Sequence, residues 1–166
     1  GLGDIQLGMV LGLVGSPALT AQEYGANKPG FSMGLLAKVS LPTGKYASDK
    51  AVNFGTNRIA MQLGLPMTWN LGGSHIPGHV TTLELTPTMW VYGDNTAPTG
   101  GASFQSREPL YSIEAHLTHD FSSKVWGSLD AVYSRGGATK TDGSSDENGL
   151  ESLGVGVTMG FALERS

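Results

Sequence analysis

Six charged or titratable residues are the candidates for chemistry, because all have even numbers within stretches that alternate between apolar and polar residues. They are Lys38, Arg58, Glu84, Glu114, His116 and Asp130. An acidic and histidine cluster of this kind could act as a selectivity constriction, a cation site or a hydrolytic centre. It could also form a hydrogen-bonded network with Lys38 and Arg58 that fills an interior, because charges removed from water are tolerated only when they are paired.

Motifs of the common catalytic and metal sites do not occur in the chain. There is no Gly-x-Ser-x-Gly nucleophile motif. The lysine of PTGKY is followed by Tyr46, where a phosphate-binding loop needs Ser or Thr. His75 and His79 are four residues apart in a predicted turn, and the acidic loop 141–149 lacks the Asp/Asn-Gly placement of an EF-hand. We therefore predict no enzyme activity, no metal and no cofactor.

Seven segments alternate with a period of two, which is the period of a β-strand and not of a helix. The clearest is FSMGLLAKVSL at 31–41, whose odd positions are all apolar. The segments are 5–14, 31–41, 58–69, 80–92, 109–121, 125–134 and 152–163. Strands of roughly 10 to 14 residues are longer than is usual in soluble sheets and close to what a tilted strand needs to cross a bilayer. The pattern predicts an all-β chain.

The two faces of these strands indicate that lipid is the outer solvent. No Asp, Glu, Lys or Arg occupies an odd position inside the seven strand cores, and Arg135 at the edge of the sixth comes nearest. A soluble sandwich or a lipocalin-like calyx would carry charge on its outer face, whereas here the even face is largely Gly, Ser and Thr. We predict an antiparallel transmembrane β-barrel of at least seven strands, with the six candidate residues lining its lumen.

Aromatic residues near strand ends support the same architecture. Those expected to form a girdle at the membrane interface are Phe31, Trp69, Tyr111, Phe121, Tyr133 and Phe161. Three long loops, 42–57, 93–107 and 136–149, would emerge on one side of the barrel. The stretch 15–30 breaks this asymmetry, because it is long on the opposite side.

The tight turn SSK at 122–124 predicts which side chains face one another across a hairpin. With residues 121 and 125 opposite, the pairing brings His116 against Asp130. A two-residue slip in register would instead place Asp130 against Glu114.

Composition excludes several classes of protein. The 166 residues carry a formal net charge of −4 and no cysteine, so there is no basic footprint for nucleic acid and no disulfide or thiolate chemistry. With 39% hydrophobic and 14% charged residues, the chain is long enough for one domain, 1–166, which we expect to be part of a longer precursor.

Three motifs carry a resemblance to a known family. GLGDIQLG at 1–8, VSLPTGKY at 39–46 and TLELTPTMWVYGDN at 82–95 resemble outer-membrane β-barrels of the family "Putative MetA-pathway of phenol degradation". The resemblance implies a Gram-negative outer-membrane barrel linked to uptake of aromatic or hydrophobic compounds, and it brings no catalytic residues. Single-chain bacterial barrels have even strand counts, so seven strands indicate missed strands, a longer chain or a barrel shared by several chains.

These observations predict passive passage or binding of small, by the resemblance aromatic or hydrophobic, solutes through a narrow outer-membrane lumen. The expected partners are the lipid bilayer and the solute, with a homo-oligomer or other outer-membrane proteins as alternatives. The competing interpretation is a plugged structural or assembly barrel that binds proteins through its loops or strand edges, because an eight-strand closure has room only for side chains. A membrane hydrolase would need a Ser-His pairing that the sequence does not show.

Overall fold

The fold is an antiparallel sheet that the chain crosses seven times. The computed structural model describes residues 1–15, 17–28, 30–72, 74–76 and 78–163. The elements in chain order are β1 (Ile5–Val14), α1 (Ala21–Ala26), β2 (Phe31–Leu41), β3 (Ala60–Gly64), β4 (Met67–Asn70), β5 (Thr81–Tyr92), a 3-10 turn (Thr99–Gly101), β6 (Gln105–Arg107), β7 (Leu110–Ser122), β8 (Val125–Gly136), β9 (Thr139–Thr141), β10 (Ser144–Ser145) and β11 (Leu150–Phe161).

The large sheet is a meander in the order β1-β2-β3-β5-β7-β8-β11, with β4 between β2 and β5. All seven predicted strands are thus confirmed. The connections after β2, β5 and β8 leave from one end of the sheet, called the loop end here, and the opposite end is called the turn end. Within the described residues no ladder joins β1 to β11, so each of these strands has one edge without a partner strand.

The third predicted strand, 58–69, begins later than expected and is split in two. It starts at Ala60, and residues 65–66 leave the ladder between β3 and β4. Pro66 has no amide hydrogen to donate, and Pro87 on the neighbouring strand lacks one as well. The break is nevertheless hydrogen-bonded, because the amide of Gly34 donates to the Pro66 carbonyl and that of Leu65 to the Pro87 carbonyl.

The β7–β8 hairpin has the predicted register but a different turn. Its turn contains two residues, 123 and 124, and not the three predicted. Ser122 pairs with Val125, and the register shifts between Asp120 and Ser122 through a β-bulge. Because the bulge offsets the shorter turn, His116 lies opposite Asp130, as predicted.

A second sheet, of three short strands, forms from loops that the sequence predicts to be irregular. It has the order β10-β9-β6. Asp142 accepts hydrogen bonds from the amides of Ser103 and Phe104, and Asp146 accepts them from the hydroxyls of Thr139 and Thr141. The acidic loop therefore uses two carboxylates to hold the sheet together, and the described residues contain no group of three acidic or histidine side chains suited to a metal.

Helix contributes little to this fold. The described residues form one α-helix, which has six residues. It begins with a capping box, in which the amide of Glu23 donates to the Thr20 hydroxyl and the amide of Thr20 donates to the Glu23 carboxylate. Among the described residues, no helix is long and apolar enough to cross a membrane.

Burial is inverted relative to a water-soluble protein. In the described part of the chain, Ala60 and Pro98 are the only buried apolar side chains, whereas Leu129 and Val155 on the odd face are 60% and 81% exposed. Apolar odd positions run from residue 5 to 13 on β1 and from 153 to 161 on β11, which is about 26 Å along each strand at about 3.3 Å per residue. A continuous apolar surface of this extent needs an apolar solvent or partner.

Polar side chains on the odd face lie at its two ends. Arg135 and Glu151 are directly opposite each other on β8 and β11 at the loop end. His119 lies near the turn end, where its Nδ1 is 2.8 Å from the Thr81 hydroxyl. The uncharged band between these ends is the arrangement that a hydrocarbon layer requires.

Asp4, just before β1, anchors the long loop between β2 and β3. Its carboxylate accepts hydrogen bonds from the Gly44 amide at 2.8 Å and from the amide and hydroxyl of Thr56 at 2.8 and 2.7 Å. A Cβ on Gly44 would lie 2.8 Å from the Asp4 amide nitrogen, so the approach requires glycine. Two of the motifs that carry the family resemblance, GLGDIQLG and VSLPTGKY, therefore meet in space.

The Asp4 contact should respond to acid. Burial raises the pKa of the Asp4 carboxyl, but hydrogen bonds from Thr56 and Gly44 more than offset this effect and hold the pKa below its usual value of 3.8. The hydrogen bonds to the Asp4 carboxylate therefore stabilise the fold fully above pH 3.8, and this stabilisation is lost as the pH falls through the lower pKa of the folded state. In an NMR pH titration, the amide chemical shifts of Gly44 and Thr56 should change below pH 3.8 in the native chain. They should show no such change in Asp4→Asn. Unchanged shifts in the native chain would contradict this.

The apolar band can be tested by placing a charge on it. Leu129 lies near the middle of β8, so we expect Leu129→Arg to lower the free energy of unfolding by about 2 to 4 kcal/mol in lipid vesicles. Phe121→Arg, near the turn end of β7, should cost only about 0 to 1 kcal/mol. Equal costs of less than about 0.5 kcal/mol at both positions are expected of a water-exposed surface and would refute lipid contact.

Candidate functional site

The polar face brings four of the six candidate residues together. Glu84 on β5 lies opposite His116 on β7, and His116 lies opposite Asp130 on β8. Glu114 is two residues before His116 on β7 and shares its face. Glu84, Glu114, His116 and Asp130 are called the acidic group here.

Asp130 is the best-connected member of the acidic group. One carboxylate oxygen is 2.7 Å from His116 Nδ1 and accepts a hydrogen bond from the Ser128 hydroxyl at 2.6 Å. The other accepts a hydrogen bond from the Thr158 hydroxyl at 2.8 Å. These contacts link β7, β8 and β11, so Asp130 stabilises the packing of these three strands in the sheet. Ser128 donates to Asp130 and not to His116, which is not the arrangement of an activated nucleophile.

Glu84 and Glu114 differ from Asp130, because both are exposed. Within the described residues neither forms an ion pair. Glu114, His116 and Asp130 line a shallow cavity of about 310 Å³. Two carboxylates that form no ion pair among the described residues can attract cations passing along this face.

Lys38 and Arg58 are not part of the acidic group and lie closer to the loop end of the sheet. Lys38 pairs across the sheet with Gly8 on one side and Gln62 on the other, and Gln62 pairs with Trp90. The Lys38 Nζ is 5.8 Å from the centroid of the Trp90 ring. Arg58 precedes β3 at the loop end and is not part of the strand in which the sequence places it. Its guanidinium is buried, and Nη2 donates to Gln105 Oε1 at 2.6 Å.

Positive and negative side chains are therefore separated along the strands. Lys38 is level with Trp90 on β5, whereas Glu114 is level with Thr86. Trp90 is four residues from Thr86 and six from Glu84, which is about 13 Å and 20 Å along β5. Among the described residues, the structure does not bring Lys38 or Arg58 into the network of Asp130. Lys38 and Arg58 therefore lie closer to the loop end than the acidic group does.

The sequence prediction missed Arg107, which lies close to Arg58. Its Nε donates to the Gly137 carbonyl at 3.1 Å, and its guanidinium carbon is 4.5 Å from the centroid of the Tyr92 ring. Burial, followed by repulsion from Arg107, lowers the pKa of Arg58, while Asp94 acts in the opposite direction. No strand pattern marks Arg107, because it belongs to a three-residue strand inside a predicted loop.

The predicted girdle residues occupy two levels of the sheet. Phe31 and Trp69 are in ring contact at the turn end, with centroids 5.0 Å apart. Phe121 and Phe161 are at the same end, and both are exposed on the odd face. Tyr111 and Tyr133 lie toward the loop end. The placement is compatible with two interfacial belts, and the girdle stays a prediction.

Comparisons with known proteins support the sequence resemblance. The family model described as "Putative MetA-pathway of phenol degradation" matches residues 1–165. The crystal structure of an outer membrane channel from Pseudomonas putida F1 is similar to this chain, with a TM-score of 0.73 and 21% sequence identity. The similarity covers 95% of this chain and 52% of that one, so this chain spans about half the length of the channel. No curated protein matches.

These findings confirm the predicted fold class. The chain is all-β and antiparallel, and over 95% of its length it has the same fold as the P. putida outer membrane channel. The predicted family is confirmed over nearly all of the chain.

Proposed function

The chain belongs to the family described as "Putative MetA-pathway of phenol degradation", and on that premise we propose that it lines a channel for passive passage of small solutes across the outer membrane. The observation that carries the proposal is the division of the sheet into an exposed apolar face and a polar face with charged side chains. Within the described residues, no ion pair neutralises Lys38, Glu84 or Glu114. Their charges can therefore attract or repel a solute in the lumen.

A channel needs a closed wall, and the free edges of β1 and β11 bear on this requirement. Unpaired backbone groups are costly in hydrocarbon, so each edge must pair with another strand. We propose that further strands, from the same polypeptide or from another copy, complete the barrel. The P. putida channel, of which this chain matches about half, is compatible with that view.

The order of charges along the polar face suggests how solutes would be selected. A solute entering from the loop end meets Arg58 and Lys38 before it reaches the acidic group. Width would exclude large solutes, and the two zones would sort the remainder by charge. The words "phenol degradation" in the family description are the ground for proposing small aromatic compounds among the solutes.

The second candidate function is a structural barrel whose lumen is closed. The observation that favours it is the three-stranded sheet of β6, β9 and β10, called the loop sheet here. The strands β6, β9 and β10 lie at the loop end, and the hydrogen bond from Arg58 to Gln105 attaches this sheet to the wall. If the loops occlude the lumen, the protein would act through its surfaces and edges instead. Conductance distinguishes the two functions.

Single-channel recording in planar bilayers tests the proposal. Lys38→Ala should shift selectivity toward cations, and Glu114→Ala should shift it toward anions. A unit charge about 6 Å from a permeating ion contributes about 0.7 kcal/mol in water, which is a factor of about 3 in the permeability ratio. Lys140→Ala, which removes a cation paired with Glu108 in the loop sheet, should change selectivity little.

The outcomes separate the two candidate functions. Discrete openings with opposite shifts in the two variants support the channel. A chain that inserts but passes no current would favour the plugged scaffold. Openings whose selectivity is the same in both variants and in the native chain would exclude Lys38 and Glu114 from the pore lining.

A further inference from the structure

The loop end of the polar face contains a cavity of about 450 Å³ that differs from the rest of the face. Its wall includes Arg58, Arg107, Trp90, Tyr92 and Gln105. Among the described residues that line it, both charged side chains are arginines, and no carboxylate is present. Asp94 is near enough to favour the charged form of Arg58 but is not part of the wall. The side chains that line the cavity therefore carry a net positive charge.

Arg58 is a buried cation with an unused donor. The residue is only 8% exposed, yet it remains charged at neutral pH. Its Nη2 hydrogen bond to Gln105 is oriented by a second bond, from Gln105 Nε2 to the Thr141 hydroxyl at 3.1 Å. Nη1 is buried and has no acceptor among the described residues. A buried guanidinium is expected to be fully hydrogen-bonded, so the free Nη1 points to an acceptor from outside the chain.

Arg107 presents a second guanidinium to the same cavity. The hydrogen bond to Gly137 and the stacking on Tyr92 fix its orientation. The two guanidinium groups repel each other, and a bound anion relieves that repulsion. The planar donor fork of arginine matches a carboxylate better than it matches a spherical ion.

The remaining wall is suited to an apolar group. The rings of Trp90 and Tyr92 are nearly parallel, with centroids 6.4 Å apart and an interplanar angle of 13°. Asn95 also lines the cavity; it is 4% exposed and donates to the Tyr46 hydroxyl, which itself donates to the Ala97 carbonyl. The wall is thus preorganised, and the cavity has room for more than a bare inorganic ion.

We propose that this cavity binds a small organic carboxylate, with the carboxylate on Arg58 and Arg107 and the apolar part against Trp90 and Tyr92. The site deepens the proposed function, because it would be the first that a solute meets at the loop end. It names organic anions as the solute class recognised there. Binding at the site does not depend on an open lumen.

Calorimetric titration of the full chain in detergent micelles tests the site, with benzoate as the probe. Benzamide has the same shape without the charge, and inorganic phosphate has charge without the apolar part. Benzoate should bind at least tenfold more tightly than either. Arg58→Gln should weaken benzoate binding at least tenfold, and Arg107→Gln should weaken it severalfold. Lys140→Gln makes the same change of charge at a side chain that is 54% exposed and outside the cavity, and it should leave binding unchanged.

Each outcome supports or overturns the site. Equal affinity for benzoate and benzamide, or benzoate binding that neither arginine variant weakens, would overturn it. Phosphate binding as tight as that of benzoate would show a bare anion site and refute an organic ligand. If Arg58→Gln fails to fold by circular dichroism, the exposed Arg107→Gln decides the question. Benzoate binding by a chain that passes no current would refute only the channel, whereas current without benzoate binding would refute only this site.

Discussion

Contact between the odd-numbered face and lipid is the constraint on which the rest of this structure depends. In hydrocarbon every backbone donor and acceptor must be paired within the protein, which is why the chain forms long ladders joined outside the apolar band. The same solvent excludes charge from the outer face. The charged side chains of the strands therefore lie on the other face, where they must be paired, hydrated or used. The described part of the chain accordingly has almost no buried apolar core, and its stability must come from strand pairing, lipid contact and polar networks.

The polar face serves two purposes with similar residues. Asp130 accepts hydrogen bonds from Ser128 and Thr158 and contacts His116, so its carboxylate is fully engaged by side chains of the sheet and has a structural role. Glu84 and Glu114 lie at neighbouring positions of the same surface, and neither forms an ion pair among the described residues. At the loop end, Arg58 donates one hydrogen bond to Gln105, and its Nη1 has no acceptor among the described residues. A sequence shows only that these residues share a face, whereas the register and the contacts show which are structural and which are available.

The strands could be predicted because a period of two is enforced along their whole length by lipid on one side. A one-residue error in register would turn every Leu and Val inward, so the hairpin of His116 and Asp130 is strongly specified. The loops could not be predicted in the same way. Strands of three residues, such as β6, are too short to show a period. The contact of Asp4 with Thr56 joins residues 52 positions apart, and no local pattern encodes it. The cavity around Arg58 depends on such contacts, which is why Arg107 went unpredicted.

Site-directed spin labelling along β8 tests the lipid-facing odd surface most directly, and the absence of cysteine gives a clean background. Single cysteines would replace residues 127 to 133 in turn, in chain reconstituted into vesicles. Collision rates would be measured with oxygen, which concentrates in lipid, and with a water-soluble nickel chelate. The account predicts that accessibility to oxygen peaks at odd positions such as Leu129 and falls at even positions such as Ser128. Odd positions shielded from both reagents would mean an apolar interior and would contradict the account.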